Sequence, residues 1–232
     1  PASRVAALFT LALARGGAAT DTLARLAADA AIAPWAIRAL GDLAAAGVAV
    51  PREPLREATR SPDARARREA AVALVRTADA AAAAMLVPVT GDADPIVAHT
   101  AVEGLVRLAA TREADVITAC AAAIDTAATA PPVLHAACRV LGEIHSEPAV
   151  DAVLARLETA GADRRTGLAW AAARQWRRER EWQGDSWGTR PDTRGPYYAL
   201  EEWSASARIA TALTATVKAA STSDLPALAR TL

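Results

Sequence analysis

Asparagine is absent from the 232 residues, lysine occurs once, at Lys218, and methionine and phenylalanine occur once each. Arginine therefore carries nearly all the positive charge, and 65 residues are alanine, a usage that points to a GC-rich coding sequence. Net charge is missing too. The 26 Lys and Arg stand against 26 Asp and Glu, which weighs against a duplex nucleic-acid binder, because such proteins carry a basic surface that displaces counterions from phosphates. No run of about 18 apolar residues occurs, as a bilayer-spanning helix would need. The most apolar stretch, Ala80 to Val89, is short and contains Pro88. Two cysteines, Cys120 and Cys138, are too few to fix a redox compartment. Gly-x-Gly-x-x-Gly, a Walker loop, His-Glu-x-x-His and Cys-x-x-Cys-His are all missing. The sequence thus gives no ground for a nucleotide, zinc-hydrolase or haem site, and none for any cofactor. The chain starts at Pro1 rather than Met, as a processed product or a piece of a larger protein does.

What is present is apolar periodicity. With 53% apolar residues, the composition predicts a globular chain that can bury a core without disulfides or metal. Apolar residues recur at three- and four-residue spacing almost throughout, and alternating β-branched runs are missing, so the chain reads as nearly all helix. Helix starts are marked by a small or polar residue before proline at Ala33-Pro34, Ser61-Pro62, Asp94-Pro95 and Pro131-Pro132. Each opens a similar phrase, at 33–47, 61–76, 94–109 and 131–144, and each phrase is followed by a second helical stretch near 52–59, 78–87, 112–128 and 148–159. Ser146 is the expected N-cap of the last. With a first pair at 3–14 and 21–30, the chain reads as successive hairpins of roughly 30 to 37 residues, and a period of that size signals a solenoid whose units bury their apolar faces on one another.

The strings "DADPIVAHTAVEGLVRLA" and "ACRVLGEIHSEPAVDAVLARLE" resemble HEAT repeats, in particular the short bacterial kind shared with phycobilisome lyases. The resemblance covers about residues 1–160 and implies an all-α fold, an α-solenoid of about five to six HEAT-like hairpins. The expected organisation is a repeat array over 1–162 and C-terminal helices over 163–232, with a Trp/Arg/Tyr-rich loop at about 181–198 capping the array.

Composition changes near residue 164. Trp170, Trp176, Trp182, Trp187 and Trp203 fall close together with Tyr197 and Tyr198, and Arg164, Arg165, Arg174, Arg177, Arg178 and Arg180 crowd the same segment. Residues 163–180 read as helix. The stretch 182–198, with three glycines and two prolines, reads as a loop, after which helix resumes over 199–219 and again near 224–231. Long irregular loops are commonly functional or packed omega loops. Aromatic and arginine side chains dominate binding hot spots, so Trp182, Trp187, Arg190, Arg194, Tyr197, Tyr198 and Trp203 are the candidate partner-binding residues, beside the plainer reading that the tryptophans cover the open end of the array. Residues 182–213 also resemble a segment that follows HEAT repeats in large bacterial multidomain proteins of the sugar-dehydrogenase and c-type cytochrome kind. The match runs through Trp182, Gly184, Trp187, Gly188, Thr189, Arg190, Pro191, Asp192, Thr193, Gly195, Pro196, Tyr197 and Tyr198, with Ser186 where that segment has a Trp. It implies a module of an extracytoplasmic, periplasmic electron-transfer assembly that meets a protein partner or neighbouring domain and reaches a membrane only through it.

Other constellations are weaker. His135, Cys138 and His145 fall on one helical face near Cys120, but ten helical residues span about 15 Å, so the two histidines cannot share an ion and no metal site is expected. A disulfide between Cys120 and Cys138 stays open beside two buried thiols. His99 and Glu103 stand one turn apart without a nucleophile. Glu201 and Glu202 suit a helix N-terminus. No catalytic residue is assigned, and the leading expectation is a noncatalytic scaffold for protein–protein contacts. The alternative is an enzyme on the same scaffold, lyase-like or DNA-glycosylase-like, with Trp170, Trp176 and Arg177 imitating the latter's concave surface.

Overall fold

A computed structural model describes residues 2–180, 199–221 and 225–231. The described chain is all-α apart from one two-stranded ladder, and it divides into two compact units, Pro1–Val140 and Leu141–Leu232. No helix among the described residues is long and apolar enough to cross a membrane.

In the first unit the helices are α1 (Ala2–Arg15), α2 (Thr20–Leu26), α3 (Ala33–Ala45), α4 (Arg52–Ala58), α5 (Ala64–Thr77), α6 (Ala82–Leu86) and α7 (Pro95–Asp125), with α8 (Pro131–Gly142) crossing into the next. Short 3-10 turns at Gly16–Ala19 and Val87–Gly91 precede α2 and follow α6. α3 packs on α5 and α5 on α7, while α2, α4 and α6 lie against α3, α5 and α7 in turn. The facing sides are small and aliphatic: Ala36, Ile37 and Leu40 on α3, Ala66, Ala70 and Leu74 on α5, Val97, Ala101 and Leu105 on α7 are all essentially inaccessible. Each such leucine or isoleucine contributes about 1.5–3 kcal/mol of hydrophobic free energy on burial.

Local chemistry explains the boundaries. Asp94 accepts hydrogen bonds from the Ile96 and Val97 N–H groups at 2.8 and 3.2 Å, with Pro95 in the first turn, which is the predicted cap. At Ser61-Pro62 the prediction is two residues early. Asp63 caps α5 by accepting from the Arg65 N–H at 2.9 Å, while Ser61 Oγ accepts from the Asp63 N–H in the turn before it. The two expected helices at 94–109 and 112–128 join without a loop in α7, broken by the non-helical Arg112 (φ −136°, ψ 43°).

The second unit holds α9 (Glu147–Thr159), α10 (Ala162–Gln175), α11 (Ser206–Ala219) and α12 (Leu225–Thr231). Ser146 caps α9 through the Ala149 N–H, as expected. α10 packs on α9, α11 and α12, and α11 also meets α9; Leu168, Ala169, Ala171, Ala172 and Ile209 form the buried seam. Two expectations fail here. The helix predicted over 163–180 ends at Gln175, and the helix predicted to resume at 199 starts at Ser206. Between them, β1 (Arg178–Glu179) and β2 (Leu200–Glu201) pair antiparallel, Arg178 opposite Glu201 and Glu179 opposite Leu200.

One device recurs in the helix contacts of both units: a glycine beside a carboxylate. A Cβ on Gly41 would lie 2.9 Å from the Ala73 Cβ and 3.0 Å from its Cα, and a Cβ on Gly142 3.0 Å from the Trp170 ring and 3.1 Å from the Ala171 Cα. Glycine is what lets these backbones approach. The neighbouring carboxylate then reaches an arginine on the facing helix: Asp42 to Arg76 at 2.5 Å, Glu103 (beside Gly104) to Arg139 at 3.7 Å, and Glu143 to Arg174 at 3.3 Å. These pairs are exposed, so each is worth about 0–1 kcal/mol; they mark register more than they stabilise.

Candidate functional site

The last carbonyls of a helix have no partner within it, and a glycine commonly closes the end. α10 has no such glycine. Side chains from other elements of the second unit close it instead. His145, in the turn after α8, places Nε2 3.0 Å from the Arg174 carbonyl and 2.9 Å from the Arg177 carbonyl. Both partners are acceptors, so this nitrogen carries the proton. Trp203 Nε1–H donates to the Gln175 carbonyl at 2.8 Å, and Ser206 Oγ donates to the Trp176 carbonyl at 2.6 Å while accepting from the Trp203 N–H at 2.9 Å. The Trp203 and His145 rings lie 6.3 Å apart at 58°.

Gln175 itself is fully buried. Its Nε2 donates to the Leu141 and Ile144 carbonyls at 2.8 and 3.1 Å, closing the end of α8, and its Oε1 is buried without a hydrogen-bond partner. Beyond this knot the chain runs out through Trp176 and Arg177 into β1 and comes back through β2. Arg180 N–H donates to the Ala199 carbonyl at 3.0 Å, extending the ladder by one position. Ion pairs bind the two runs together, Arg178 to Glu201 at 2.9 Å and Arg177 to Glu202 at 3.3 Å. The surface this stem presents is aromatic and apolar beside its ion pairs. Trp176 is 38% exposed with the Arg177 guanidinium 4.8 Å above its ring, and Leu200 is 52% exposed.

Trp203, one of the predicted partner-binding residues, is thus half-buried in the stem, its indole N–H spent on the backbone. The other six, Trp182, Trp187, Arg190, Arg194, Tyr197 and Tyr198, lie outside the described residues. Sequence reasoning passed over Gln175 and Ser206 and treated His145 only as a weak metal candidate. No local signal marks them, because their partners lie about thirty residues away in sequence.

Cys120 and Cys138 are free thiols, both buried. Burial pushes Cys120 up to about 12, with a smaller contribution from the nearby Cys138, and burial pushes Cys138 up to about 11. His135 is exposed while Cys138 is buried, so the face proposed to unite them is split. Among the described residues no group of three or more His, Cys, Asp or Glu stands together as a metal site. Glu103 pairs with Arg139 rather than His99. A groove of about 870 Å³ runs between α9 and α11 over Leu154, Ala155, Ala212 and Ala215, and Arg208 closes its edge by bridging Glu147 at 2.7 Å and Asp151 at 2.5 Å.

No protein-family model matches the chain, and no curated protein is significantly similar to it. Among solved structures, the crystal structure of an engineered protein is similar at 18% identity, covering 68% of this chain and 79% of that one with a TM-score of 0.37.

Proposed function

We propose that the chain is a noncatalytic scaffold for protein–protein contacts, an α-solenoid of HEAT-like hairpins that presents the Trp/Arg/Tyr-rich stretch 182–198 to a protein partner or neighbouring domain. The stem carries the reading. Its paired strands, two ion pairs and side-chain caps hold the exit and return of that stretch in fixed register, and a fixed base lowers the ordering entropy that a binding loop loses on association. Trp176 and Leu200, exposed beside it, extend the same aromatic and apolar chemistry onto the framework. The repeated glycine–carboxylate device, its arginine 34 residues on from Asp42 and 31 on from Glu143, supports a repeat array as the scaffold. The resemblance of 182–213 makes an extracytoplasmic electron-transfer assembly the natural setting.

Affinity capture from native extract tests this reading. The unmodified chain is compared with the Trp182→Ala, Trp187→Ala, Tyr197→Ala variant, both shown to be equally helical by circular dichroism. A redox or cytochrome-bearing partner lost only with the variant is the expected result. Unchanged capture removes the loop from the interface and with it this proposal.

A further inference from the structure

We infer that α1 of one copy of this chain docks into the groove between α9 and α11 of a second copy, a head-to-tail contact carried by helix faces alone. Two open apolar features that match in length, shape and charge point to it.

The first is a stripe on α1. Ala2, Ala6, Phe9 and Leu13 recur at spacings of four, three and four, which places them along one side of the helix. Leu8 is the buried residue of α1, which packs on α2, α3 and the turn at Gly16–Ala19. The stripe is left open: Ala2 and Ala6 are exposed, Phe9 is half-buried and Leu13 is 87% exposed.

The second is the groove. Asp151, Leu154, Ala155 and Glu158 of α9 line one wall, and Thr211, Ala212, Ala215 and Ala219 of α11 line the other. Polar groups along it are already answered by backbone: the hydroxyls of Thr211 and Thr216 donate to the Ala207 and Ala212 carbonyls, each at 2.9 Å, and Arg165 donates to the Ala160 carbonyl at 2.8 Å. The walls have 13 and 14 residues against 14 in α1, each about 20 Å long. A channel walled by alanine admits larger side chains such as Phe9 and Leu13, as ridges of one helix enter the grooves of others.

Charge sets the direction. α1 contains two arginines and no carboxylate. Arg4 is paired with Asp29, whereas Arg15, in the last turn, has no ion-pair partner among the described residues. At the start of α9, Glu147 and Asp151 share the one guanidinium of Arg208, so that end of the groove keeps a negative charge in excess. Seated antiparallel to α9, α1 brings Arg15 to that end and the positive end of its dipole to Glu158.

Such a contact leaves a free α1 at one end of a pair and a free groove at the other, so association does not close at a dimer. One helix in a groove is small beside the standard interface of about 1,200–2,000 Å², so sedimentation equilibrium of the full chain is taken up to about 1 mM, where weak contacts register. The weight-average mass should rise past twice that of the monomer. Leu13→Asp blocks the helix and Ala215→Arg the groove, both at exposed positions, and circular dichroism checks that each variant keeps the wild-type helicity. Either variant alone should stay monomeric at every concentration. Mixed in equal amounts they should form a dimer and nothing larger, because one intact helix meets one intact groove. Arg15→Glu should weaken the association severalfold, and an unchanged affinity overturns the antiparallel seating. A wild-type chain that stays monomeric overturns the inference, as does a blocked variant that still associates. A mixture that stays monomeric where the wild type associates would mean pairing of identical faces, such as α1 with α1, and overturns it as well.

Discussion

The carbonyl of Ala78 accepts a 2.7 Å hydrogen bond from Arg112 Nε–H, joining the left-handed residue that ends α5 (φ 46°) to the non-helical residue that breaks α7. Each is locally unfavourable. An alanine with positive φ crowds its Cβ against the backbone, at a cost of roughly 1–2 kcal/mol, and a residue outside helical geometry forfeits its place in the ladder. Tied together, they turn two chain reversals into one contact, in which the guanidinium satisfies a carbonyl at the end of α5.

That relationship predicts opposite effects for two substitutions. Ala78→Gly removes the Cβ conflict and should raise stability by about 0.5–1 kcal/mol in urea denaturation. Arg112→Ala should lower it by about 1 kcal/mol, the worth of an exposed hydrogen bond. A lower midpoint for Ala78→Gly would mean that residue 78 is not left-handed in solution.

Gly41→Ala sets helix propensity against packing. Propensity alone favours alanine by about 1 kcal/mol. The new Cβ, however, would sit 2.9 Å from the Ala73 Cβ and 3.0 Å from its backbone Cα, and overpacking of that kind costs about 1–3 kcal/mol. The neighbour is a helix backbone rather than a flexible side chain, so α3 and α5 must separate and the net effect should be destabilising. Thermal melting decides it, and a higher melting temperature for the variant would show that the two helices are not in close contact.

Much of this was legible beforehand, for identifiable reasons. Asp94-Pro95, Ser146 and Pro34 are local signals, and the helices begin where they stand. Ser61 misled because Asp63, two residues on, offers a carboxylate to the same turn. The ladder was not legible at all. Arg178-Glu179 and Leu200-Glu201 are too short to show alternation, and α10 stops at Gln175 because of His145, thirty residues earlier in sequence, and Trp203, twenty-eight later. A helix end fixed by side chains so distant leaves no trace in a local window. Of the predicted site, only Trp203 falls among the described residues, and its hydrogen bond to the backbone could not be read from its neighbours in sequence.

Thiol reactivity should be silent until the fold is opened. Cys120 and Cys138 are free and inaccessible, and burial holds their thiols near 12 and 11, whereas the thiolate is the reactive form. At pH 8 a disulfide reagent such as DTNB should therefore titrate no thiol in the native chain and two per chain in guanidinium, without reductant. Release of thiols only after reduction would show that the two are bridged.

The pair of Arg67 and Asp92 provides the acid-sensitive contact. Arg67 donates through Nε at 2.6 Å and through Nη2 at 2.8 Å to the two carboxylate oxygens, with both side chains largely shielded, 17% and 10% exposed. The Arg67 hydrogen bond, followed by the Asp94 N–H on the same carboxylate, holds Asp92 below its ordinary value of 3.8, against the opposing effect of burial. A carboxyl with a lowered folded value contributes stability that is fully present above its unfolded value and lost as pH falls through the folded one. Arg67 also donates to the Ser61 and Pro62 carbonyls, so Asp92→Asn strands a shielded guanidinium that the turn before α5 keeps in place. At pH 7 this variant should lose about 1.5–3 kcal/mol, the worth of a hydrogen bond to a charged group and less than breaking a fully buried pair costs. The difference between wild type and variant should narrow as pH is lowered from 5 to below 3.8, because the wild type then loses the same charge. Chemical denaturation at a series of pH values measures it, and a gap that stays constant down to pH 3 would show that the carboxylate does not hold Arg67 through its charge.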